Sequence, residues 1–415
     1  MSLSLLGGSP VRTRSFLPWP QHGEEEQNSL MELLRSGSWG GYSPKVEEFE
    51  AAFAKFHQVK YGICCSNGTV ALELALRAVG VVPGDEVIVP PFTFVATATA
   101  VLLCGGFPIF VDIDPQTCTL SPAAVEAAIT RRTRAMIPVH FGGHPADMDA
   151  LCAIAEKHKI AIIEDAAHAH GAIWRDSSVG NFGVAAAFSF QAFKLITAGE
   201  GGIVLTNSST VAERVWSYCN QGRRKGMGWH EHFTLGSNYR ITGLQAAVLC
   251  EQLRRLPGQI STRTENVSYF RELLRSFRGI SLAEDDARVR RHPYYLVTLR
   301  YDSSFFGGIE RDIVIEALRA EGIPVLPTYP FPLYRNELFN NSQLLQSKPG
   351  PGQGRQHYES LHLEHAEQVC KDGIWLEQNV FLGRRCDIED VVAAFEKVQR
   401  LSSSLLGFQR SRGHS

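Results

Sequence analysis

Short apolar runs alternate with amphipathic segments through the first two thirds of the chain. The apolar runs predict strands at 61–65, 86–89, 107–111, 134–139, 160–164, 185–190 and 202–205. The segments between them have helical periodicity, most clearly at 70–79, 123–128 and 148–158. This alternation is typical of an open α/β sheet whose two faces are covered by helices.

The pattern changes in the last third of the chain. A long helix at 241–256 is expected to end at Pro257-Gly258, and residues 328–339 are expected to be irregular. We further predict a strand at 292–301, helices at 311–321 and 388–401, an exposed Ser/Gly/Pro/Gln-rich loop at 341–356 and a frayed last dozen residues. The predicted organisation is an N-terminal arm (1–27), a large α/β domain with a mostly parallel sheet (28–265) and a smaller C-terminal α+β domain (266–415).

Composition narrows the class of protein. Of 415 residues, 44% are hydrophobic and 20% are charged, which are the values of a folded globular chain rather than a disordered one. The net charge of −2 and the absence of a basic stripe argue against a nucleic-acid partner. No apolar stretch is long enough to span a bilayer, and the nine cysteines show no disulfide framework. We therefore expect a soluble, cytoplasmic protein.

Lys194 lies in the segment FSFQAFKLITAGEGG and is the first candidate for chemistry. Asp165 ends a predicted strand upstream of it, and Gly68 and Thr69 form a turn before a predicted helix. A lysine downstream of an acid and an anion-binding turn suggests a lysine that holds a phosphorylated aldehyde as a Schiff base. The expected cofactor is pyridoxal phosphate (PLP).

The segment SNGT at 66–69 has the features of a phosphate site. Gly68 allows a ligand close to the backbone, and the N–H groups at a helix N-terminus favour an anion. Thr69 is expected to cap the helix and to donate its hydroxyl to phosphate. Ser189, at a strand end near Lys194, would add another donor. When SNGT is taken alone, an ordinary capped turn is the better explanation of it.

Asp165 stands where ligands of open α/β sheets gather, at the carboxyl end of a strand. A carboxylate there can keep a pyridine nitrogen protonated, and His168 could contact the phenolic oxygen of the same ring. Glu164, Asp165, His168 and His170 also suggest a metal cluster. Adjacent strand residues point to opposite faces, however, so we expect no metal site and a structural role for His170.

Two further segments contain candidates. In VPPFTFVATA (89–98), either Phe92 or Phe94 could lie on a planar cofactor, and we expect Phe94 to be a core residue instead. In GSNYR (236–240), Asn238 and Arg240 stand where a helix begins, so capping is an alternative to a binding role.

These pieces occur in a specific order, and in that order the chain resembles the DegT-type sugar aminotransferases of the fold-type I PLP enzymes. The matching segments are SNGTVALELAL, GDEVIVPPFTFVATATAV, FVDIDPQTCTL, IPVHFGGHPADMDAL, IEDAAHAHGA, FSFQAFKLITAGEGGIVLTN and GSNYRITGLQAAVLCEQL. The resemblance is close over residues 15–260 and looser beyond them.

The resemblance implies a role for each site residue. Lys194 would bind the cofactor covalently and then act as the general base, Asp165 would contact the pyridine nitrogen, and His168 would neighbour the phenolic oxygen. Phe92 would stack on the ring. The phosphate would be held by Gly68, Thr69 and Ser189, and by Asn238 from the other subunit of a homodimer.

The implied reaction moves an amino group from an amino acid, with glutamine the expected donor, to a keto-cyclitol or keto sugar in secondary-metabolite biosynthesis. Nucleotide-sugar members of the family end with an LP signature, where this chain has WLEQNVFL. This departure favours the subset that contains scyllo-inosose aminotransferases and 3-amino-5-hydroxybenzoate synthases. A synthase of the latter kind, a nucleotide keto-sugar aminotransferase and a PLP-binding regulatory protein without activity remain alternatives.

Overall fold

The computed structural model describes residues 2–341 and 358–412. The α-helices are α1 (Glu24–Ser36), α2 (Pro44–Phe56), α3 (Gly68–Ala78), α4 (Ala96–Leu103), α5 (Pro122–Ala128), α6 (Met148–His158), α7 (Ser209–Cys219), α8 (Gly243–Leu273), α9 (Arg311–Ala320), α10 (Glu337–Asn341), α11 (Glu364–Asp372), α12 (Arg385–Arg400) and α13 (Leu406–Arg412). The strands are β1 (Tyr61–Cys65), β2 (Glu86–Val89), β3 (Phe107–Phe110), β4 (Thr133–Met136), β5 (Ala161–Asp165), β6 (Ile173–Trp174), β7 (Ser177–Ser178), β8 (Ala185–Ser189), β9 (Gly202–Thr206), β10 (Ile280–Leu282), β11 (Val289–Arg291), β12 (Leu296–Tyr301), β13 (Val325–Pro327) and β14 (Gly373–Glu377).

A seven-stranded sheet forms the centre of the large domain, in the order β1-β9-β8-β5-β4-β2-β3. Its neighbouring strands are parallel from β8 to β3, and β9 is antiparallel to both β1 and β8. The prediction of an α/β domain with a mostly parallel sheet is confirmed. Because β1, β2, β5 and β8 run in one direction, their carboxyl ends meet at a single edge of the sheet.

Alternation along the strands explains why both faces are covered. Ala185 and Ala187 of β8 pack into the cluster formed with α3, α4 and α7, whereas Ala186 and Phe188 pack into the cluster formed with α2 and α8. Successive side chains of a strand point to opposite faces, so an apolar strand of this kind needs apolar cover on both sides.

The smaller C-terminal unit is built on an antiparallel sheet in the order β10-β12-β14-β13. Helices α9 and α12 bury their apolar faces against it, and Leu3 of the N-terminal arm packs fully buried into the same core. Arg12 reaches the carboxylates of Asp387 and Asp390 at 2.8 and 2.7 Å. The arm is therefore folded onto the C-terminal unit and does not simply precede the first helix.

The helix predicted to stop before Pro257 continues to Leu273, so that prediction is wrong. A proline inside a helix removes one hydrogen bond and costs about 3 kcal/mol. Burial along the whole helix offsets this cost, since Ala246 packs into the large-domain core and Val267 into the C-terminal core. The predicted domain division at 265–266 falls inside this helix.

Near the chain's end, α13 occupies residues for which fraying was predicted, because Phe408 packs against the C-terminal core. The predicted loop at 341–356 lies, apart from residue 341, outside the described residues. Among the helices that the structure describes, none combines the length and the apolar character that a membrane crossing requires.

Candidate active site

The predicted anion turn, acid, serine and lysine meet at one edge of the large sheet. They line a cavity of about 670 Å³ together with residues from the C-terminal unit. The turn follows β1, Asp165 ends β5, and Ser189 ends β8. The fold thus brings six of the predicted residues into one site: Gly68, Thr69, Asp165, His168, Ser189 and Lys194.

The anion turn is formed by Asn67 and the first residues of α3. The Asn67 side chain caps the helix by accepting a hydrogen bond from Val70 N–H at 2.9 Å, so Thr69 is not the cap that we expected. The Thr69 hydroxyl is left available for a ligand. A Cβ on Gly68 would lie 2.7 Å from the Ser189 Cβ, which is closer than real contacts allow. Only glycine lets this helix N-terminus approach β8 so closely.

Lys194 lies in the connection between β8 and β9. Its backbone N–H donates to the Gln191 carbonyl at 2.8 Å, and its Nζ is 4.6 Å from the centre of the Tyr295 ring. Burial lowers the pKa of Lys194 to about 8, against an opposing contribution from the Asp165 charge. A substantial fraction of this amine is therefore neutral near physiological pH, as a nucleophile or base must be.

Asp165 is buried at the end of β5 and is held by two donors. The Thr97 hydroxyl donates to its Oδ2 at 2.8 Å, and the Ala167 N–H donates to its Oδ1 at 3.2 Å. Burial raises the pKa of Asp165, although both hydrogen bonds and the charge of Lys194 act to lower it. A buried carboxylate of this kind is stabilised by a cation placed against it, such as a protonated pyridine nitrogen.

His168 lies on the same side of the sheet and contacts Tyr295. The two rings stack with centroids 4.3 Å apart, and His168 Nδ1 accepts a hydrogen bond from Gly142 N–H at 3.4 Å. Burial and the nearby Lys194 lower the pKa of His168 well below its ordinary value. The imidazole is therefore neutral, and with Nδ1 as acceptor its proton lies on Nε2, where it can be donated to a ligand.

Glu164 faces away from Asp165, as the alternation of strand residues requires. It accepts hydrogen bonds from three backbone N–H groups (Gly180, Phe182 and Gly183) and lies 3.1 Å from His140 Nε2. His170 is fully buried, and its Nε2 bonds to the Ser189 carbonyl at 2.9 Å. Both side chains support the backbone around the site.

Phe92 and Phe94 occupy the reverse of the expected environments. Phe92 is fully buried and packs against Phe141 and Tyr329 with centroids 4.8 and 5.3 Å away, and it does not line the cavity. Phe94 lines the cavity and is 59% exposed, so the expectation of a core residue is wrong for it. Phe94 is the aromatic ring of this segment that is available to a planar ligand.

Asn238 is exposed and does not line the cavity of its own chain. Its backbone bridges to Asn220, which holds the segment GSNYR beside the end of α7. Arg240 lies over the ring of Tyr42, 5.1 Å from its centre. A capping role does not apply to either, because the residue that caps α8 is Thr242, which accepts from Gln245 N–H.

Sequence reasoning missed the wall that the C-terminal unit contributes to the cavity. Tyr295 and Leu296 come from the start of β12, Trp375 and Glu377 from β14, and Tyr329 follows β13. Thr97, the hydrogen-bond donor to Asp165, was missed as well. The only sequence signal for the wall was the unusual WLEQN segment, since residues so far apart in the chain are joined only by the fold.

The residues present fit a phosphorylated pyridine aldehyde. The turn at Gly68 offers N–H donors and a free hydroxyl to an anion, Asp165 offers a carboxylate to a ring nitrogen, and Lys194 offers an amine of lowered pKa. Phe94 can cover one face of the ring.

Two aminotransferases are similar to this protein in sequence over nearly the whole chain. A protein of Streptoalloteichus tenebrarius, provisionally named L-glutamine:3-amino-2,3-dideoxy-scyllo-inosose aminotransferase, is 39% identical over 411 residues, covering 96% of this chain and 98% of the relative. The L-glutamine:2-deoxy-scyllo-inosose aminotransferase of Streptomyces lividus is 36% identical over 421 residues, covering 97% and 99%.

A solved structure and a family model also match this chain over most of its length. The crystal structure of 3-amino-5-hydroxybenzoic acid synthase matches with a TM-score of 0.84 and 33% identity, covering 95% of this chain and 100% of that one. The model of the DegT/DnrJ/EryC1/StrS aminotransferase family matches residues 20–396. The chain therefore belongs to this family, has the fold of the fold-type I enzymes and is a PLP-dependent aminotransferase.

Proposed function

We propose that this aminotransferase takes the amino group of glutamine and transfers it to the ketone of a keto-cyclitol, as a step in aminocyclitol biosynthesis. The names of the relatives at 36–39% identity support this donor and this class of acceptor. The names of those relatives give two kinds of keto-cyclitol as acceptor, one with an amino group and one without. Either kind is an acceptor of the proposed reaction.

The charge of the cavity wall is the observation that carries the choice of acceptor. Among the described residues that line it, four are carboxylates (Glu73, Asp165, Glu200 and Glu377) and one, Lys194, is a cation. The pyrophosphate of a nucleotide sugar needs cationic or N–H partners beyond those that hold the cofactor. A small polyhydroxylated ring without negative charge suits this wall better.

A hydroxybenzoate synthase is disfavoured by the names of the relatives at 36–39% identity, which are aminotransferases of scyllo-inosose compounds. A regulatory protein without activity is disfavoured by the complete set of Lys194, Asp165, His168 and Ser189 in one cavity.

Bound PLP supplies an aldehyde and an electron-withdrawing ring that stabilises negative charge on the substrate carbon. The Asp165 carboxylate keeps the proton on the ring nitrogen, and Thr97 holds that carboxylate in place. The N–H groups at the start of α3, with the hydroxyls of Thr69 and Ser189, bind the phosphate. Phe94 covers the ring and excludes water from one face.

Lys194 moves the proton. With the cofactor bound, neutral Nζ would accept the proton released from the α-carbon of glutamine and hold it for return, and it would act in the reverse sense when the acceptor ketone is aminated. The pKa of about 8 keeps both protonation states accessible at neutral pH. The Tyr295 ring, whose centre is 4.6 Å from Nζ, stabilises the protonated form of the amine.

We propose that the active unit is a homodimer in which Asn238 binds the phosphate in the partner's site. The segment before it exposes large apolar side chains, among them Trp229 (58% exposed) and Leu235 (86%), and a covered position in a dimer would explain this.

All nine cysteines are free, which supports the proposed cytoplasmic location.

Visible absorption of the purified protein tests the proposal. The cofactor band near ~420 nm should be bleached by glutamine and restored by 2-deoxy-scyllo-inosose or its 3-amino derivative. Lys194→Ala should lack this band. Failure of glutamine to bleach the band, or its restoration by a nucleotide keto sugar and by neither cyclitol, would overturn the proposal.

A further inference from the structure

Two carboxylates of the cavity, Glu200 and Glu377, have no side-chain partner among the described residues; Glu200 is exposed to water, whereas Glu377 is partly buried. Glu377 ends β14, is half-buried on the cavity wall, and receives no hydrogen bond or ion pair to its side chain from the described residues. Asp165 has Thr97, and Glu73 has Arg77 at 3.4 Å. An unpaired carboxylate removed from water is costly unless a ligand compensates it.

The surroundings of Glu377 are aromatic. Tyr295, Tyr329 and Trp375 line the same wall, and the rings of Tyr329 and Trp375 meet edge to face with centroids 4.9 Å apart. Burial raises the pKa of the Tyr295 hydroxyl, and the Glu377 charge adds to this effect, so the two groups are close neighbours. Aromatic faces attract cations, as does a carboxylate. This wall, hereafter the cation wall, consists of Tyr295, Tyr329, Trp375 and Glu377.

The cation wall reaches the reacting amine through Tyr295, whose ring centre lies 4.6 Å from Lys194 Nζ. Tyr295 connects the two, because its ring contacts Lys194 Nζ while β12, which it precedes, pairs with β14 so that Leu296 stands opposite Glu377. Lys194 and Glu377 line the same cavity, so a small ring whose ketone is near Lys194 would have other substituents within the cavity that Glu377 also lines. Glutamine carries no cation beyond its reacting amine, so it has no group that Glu377 would bind in this way.

We propose that Glu377 is a specificity-determining residue that binds an ammonium group of the acceptor, so that the preferred substrate is a keto-cyclitol that already carries one amino group. The inference rests on the proposed function and refines it. A hydroxyl at the same position would also donate to the carboxylate, but an ammonium adds the attraction between two opposite charges in a site partly removed from water. The product would then be a diaminocyclitol.

Glu377→Gln tests this, since it keeps the shape of the side chain and removes its charge. The amination of 3-amino-2,3-dideoxy-scyllo-inosose by the pyridoxamine form should slow by about tenfold or more in kcat/KM. Amination of 2-deoxy-scyllo-inosose should change by less than about twofold, and bleaching by glutamine should keep its rate. Glu396→Gln, which removes an equal charge from the exposed face of α12, should change none of the three rates.

A binding measurement separates recognition from catalysis. A cyclitol monoamine that lacks the ketone should bind the pyridoxamine form about tenfold less tightly in Glu377→Gln than in the wild type, and Glu377→Asp should recover part of the loss. Equal losses for both ketones, or an unchanged rate with the amino-bearing one, would overturn the role of Glu377. If the wild type aminates neither ketone, the proposed function fails instead, and the monoamine titration still reports on the cation wall.

Discussion

Thr97 donates its hydroxyl hydrogen to Asp165 Oδ2 at 2.8 Å, and both side chains are buried. The first lies in α4 and the second at the end of β5, so a helix fixes the rotamer of an acid that belongs to a strand. The orientation of the Asp165 carboxylate is thereby set within the protein itself, before any ligand binds.

Replacing Thr97 by valine should weaken cofactor binding while preserving the fold. The substitution keeps the side-chain shape and removes a hydrogen bond to a charged group, worth about 1.5–3 kcal/mol. The pKa of Asp165 should rise further, and the dissociation constant for PLP should increase roughly tenfold or more. Fluorescence titration of the cofactor-free protein with PLP measures this dissociation constant. Thr99→Val is the matched control, because among the described residues the Thr99 hydroxyl bonds only to the Ala96 carbonyl. Equal effects of the two substitutions would contradict this role of Thr97.

The reaction of Lys194 with PLP should depend on pH with a midpoint near 8. Only the neutral amine reacts, and a lowered pKa makes the neutral form available at lower pH, so the rate should rise with pH and level off above about 8. At pH 7 about a tenth of the side chain is neutral, against roughly one part in three thousand for an ordinary lysine.

The rate of cofactor uptake by the cofactor-free protein, measured between about pH 6 and pH 10, gives this midpoint. Because the Asp165 charge raises the pKa of Lys194, Asp165→Asn should move the midpoint to lower pH. A midpoint near 10.5 in the wild type, the usual value, would contradict the burial of this amine.

Phe92 and Phe94 should respond oppositely to truncation. Phe92→Ala removes a fully buried ring and should lower the free energy of unfolding by about 3–5 kcal/mol. Phe94→Ala should leave stability nearly unchanged and weaken PLP binding, because its exposed ring lines the cavity. Thermal unfolding without cofactor and titration with PLP distinguish the two. Weaker cofactor binding by Phe92→Ala with unchanged stability would restore the assignment made from sequence.

Gly68→Ala should reduce cofactor affinity by about tenfold or more, the effect of losing roughly 1.4 kcal/mol of phosphate contacts. The added methyl group would meet the Ser189 Cβ at 2.7 Å, so the first turn of α3 must move away from β8. Gly258→Ala is the control: its Cβ meets nothing within 4 Å, and within α8 it should stabilise the protein slightly. Phosphate protection of the cofactor-free protein against heat gives a second readout, and an unchanged affinity would show that the turn does not hold the phosphate.

The sheet of the large domain was predictable because its strands are short, apolar and separated by clear helical periods. The strands Tyr61–Cys65 and Glu86–Val89 have the predicted limits. The helix through Pro257 was not predictable, since the packing that compensates the proline comes from two different cores. Local sequence signals a break, and tertiary burial overrides it.

The site was predictable only where its residues follow strands in the chain. Lys194, Asp165 and the Gly68 turn fall at the sheet edge because parallel strands bring their carboxyl ends together. Phe92 and Phe94 lie two residues apart, and which of them reaches the cavity depends on a turn after β2 that local patterns do not specify. Glu377 is brought to the cavity by pairing between β12 and β14, about eighty residues apart in the chain.

The N-terminal arm has a consequence for how the protein is made. Leu3 and Arg12 are synthesised long before the C-terminal unit into which they pack, since Arg12 bonds to Asp387, 375 positions later. During synthesis the large-domain sheet, complete by residue 206, can form while the arm has no partner. The C-terminal unit must then fold against the N-terminal arm, which has had no partner during most of translation. Contacts of such long range are slow to form, so this folding is the step at which a newly made chain is most exposed to chaperones and proteases.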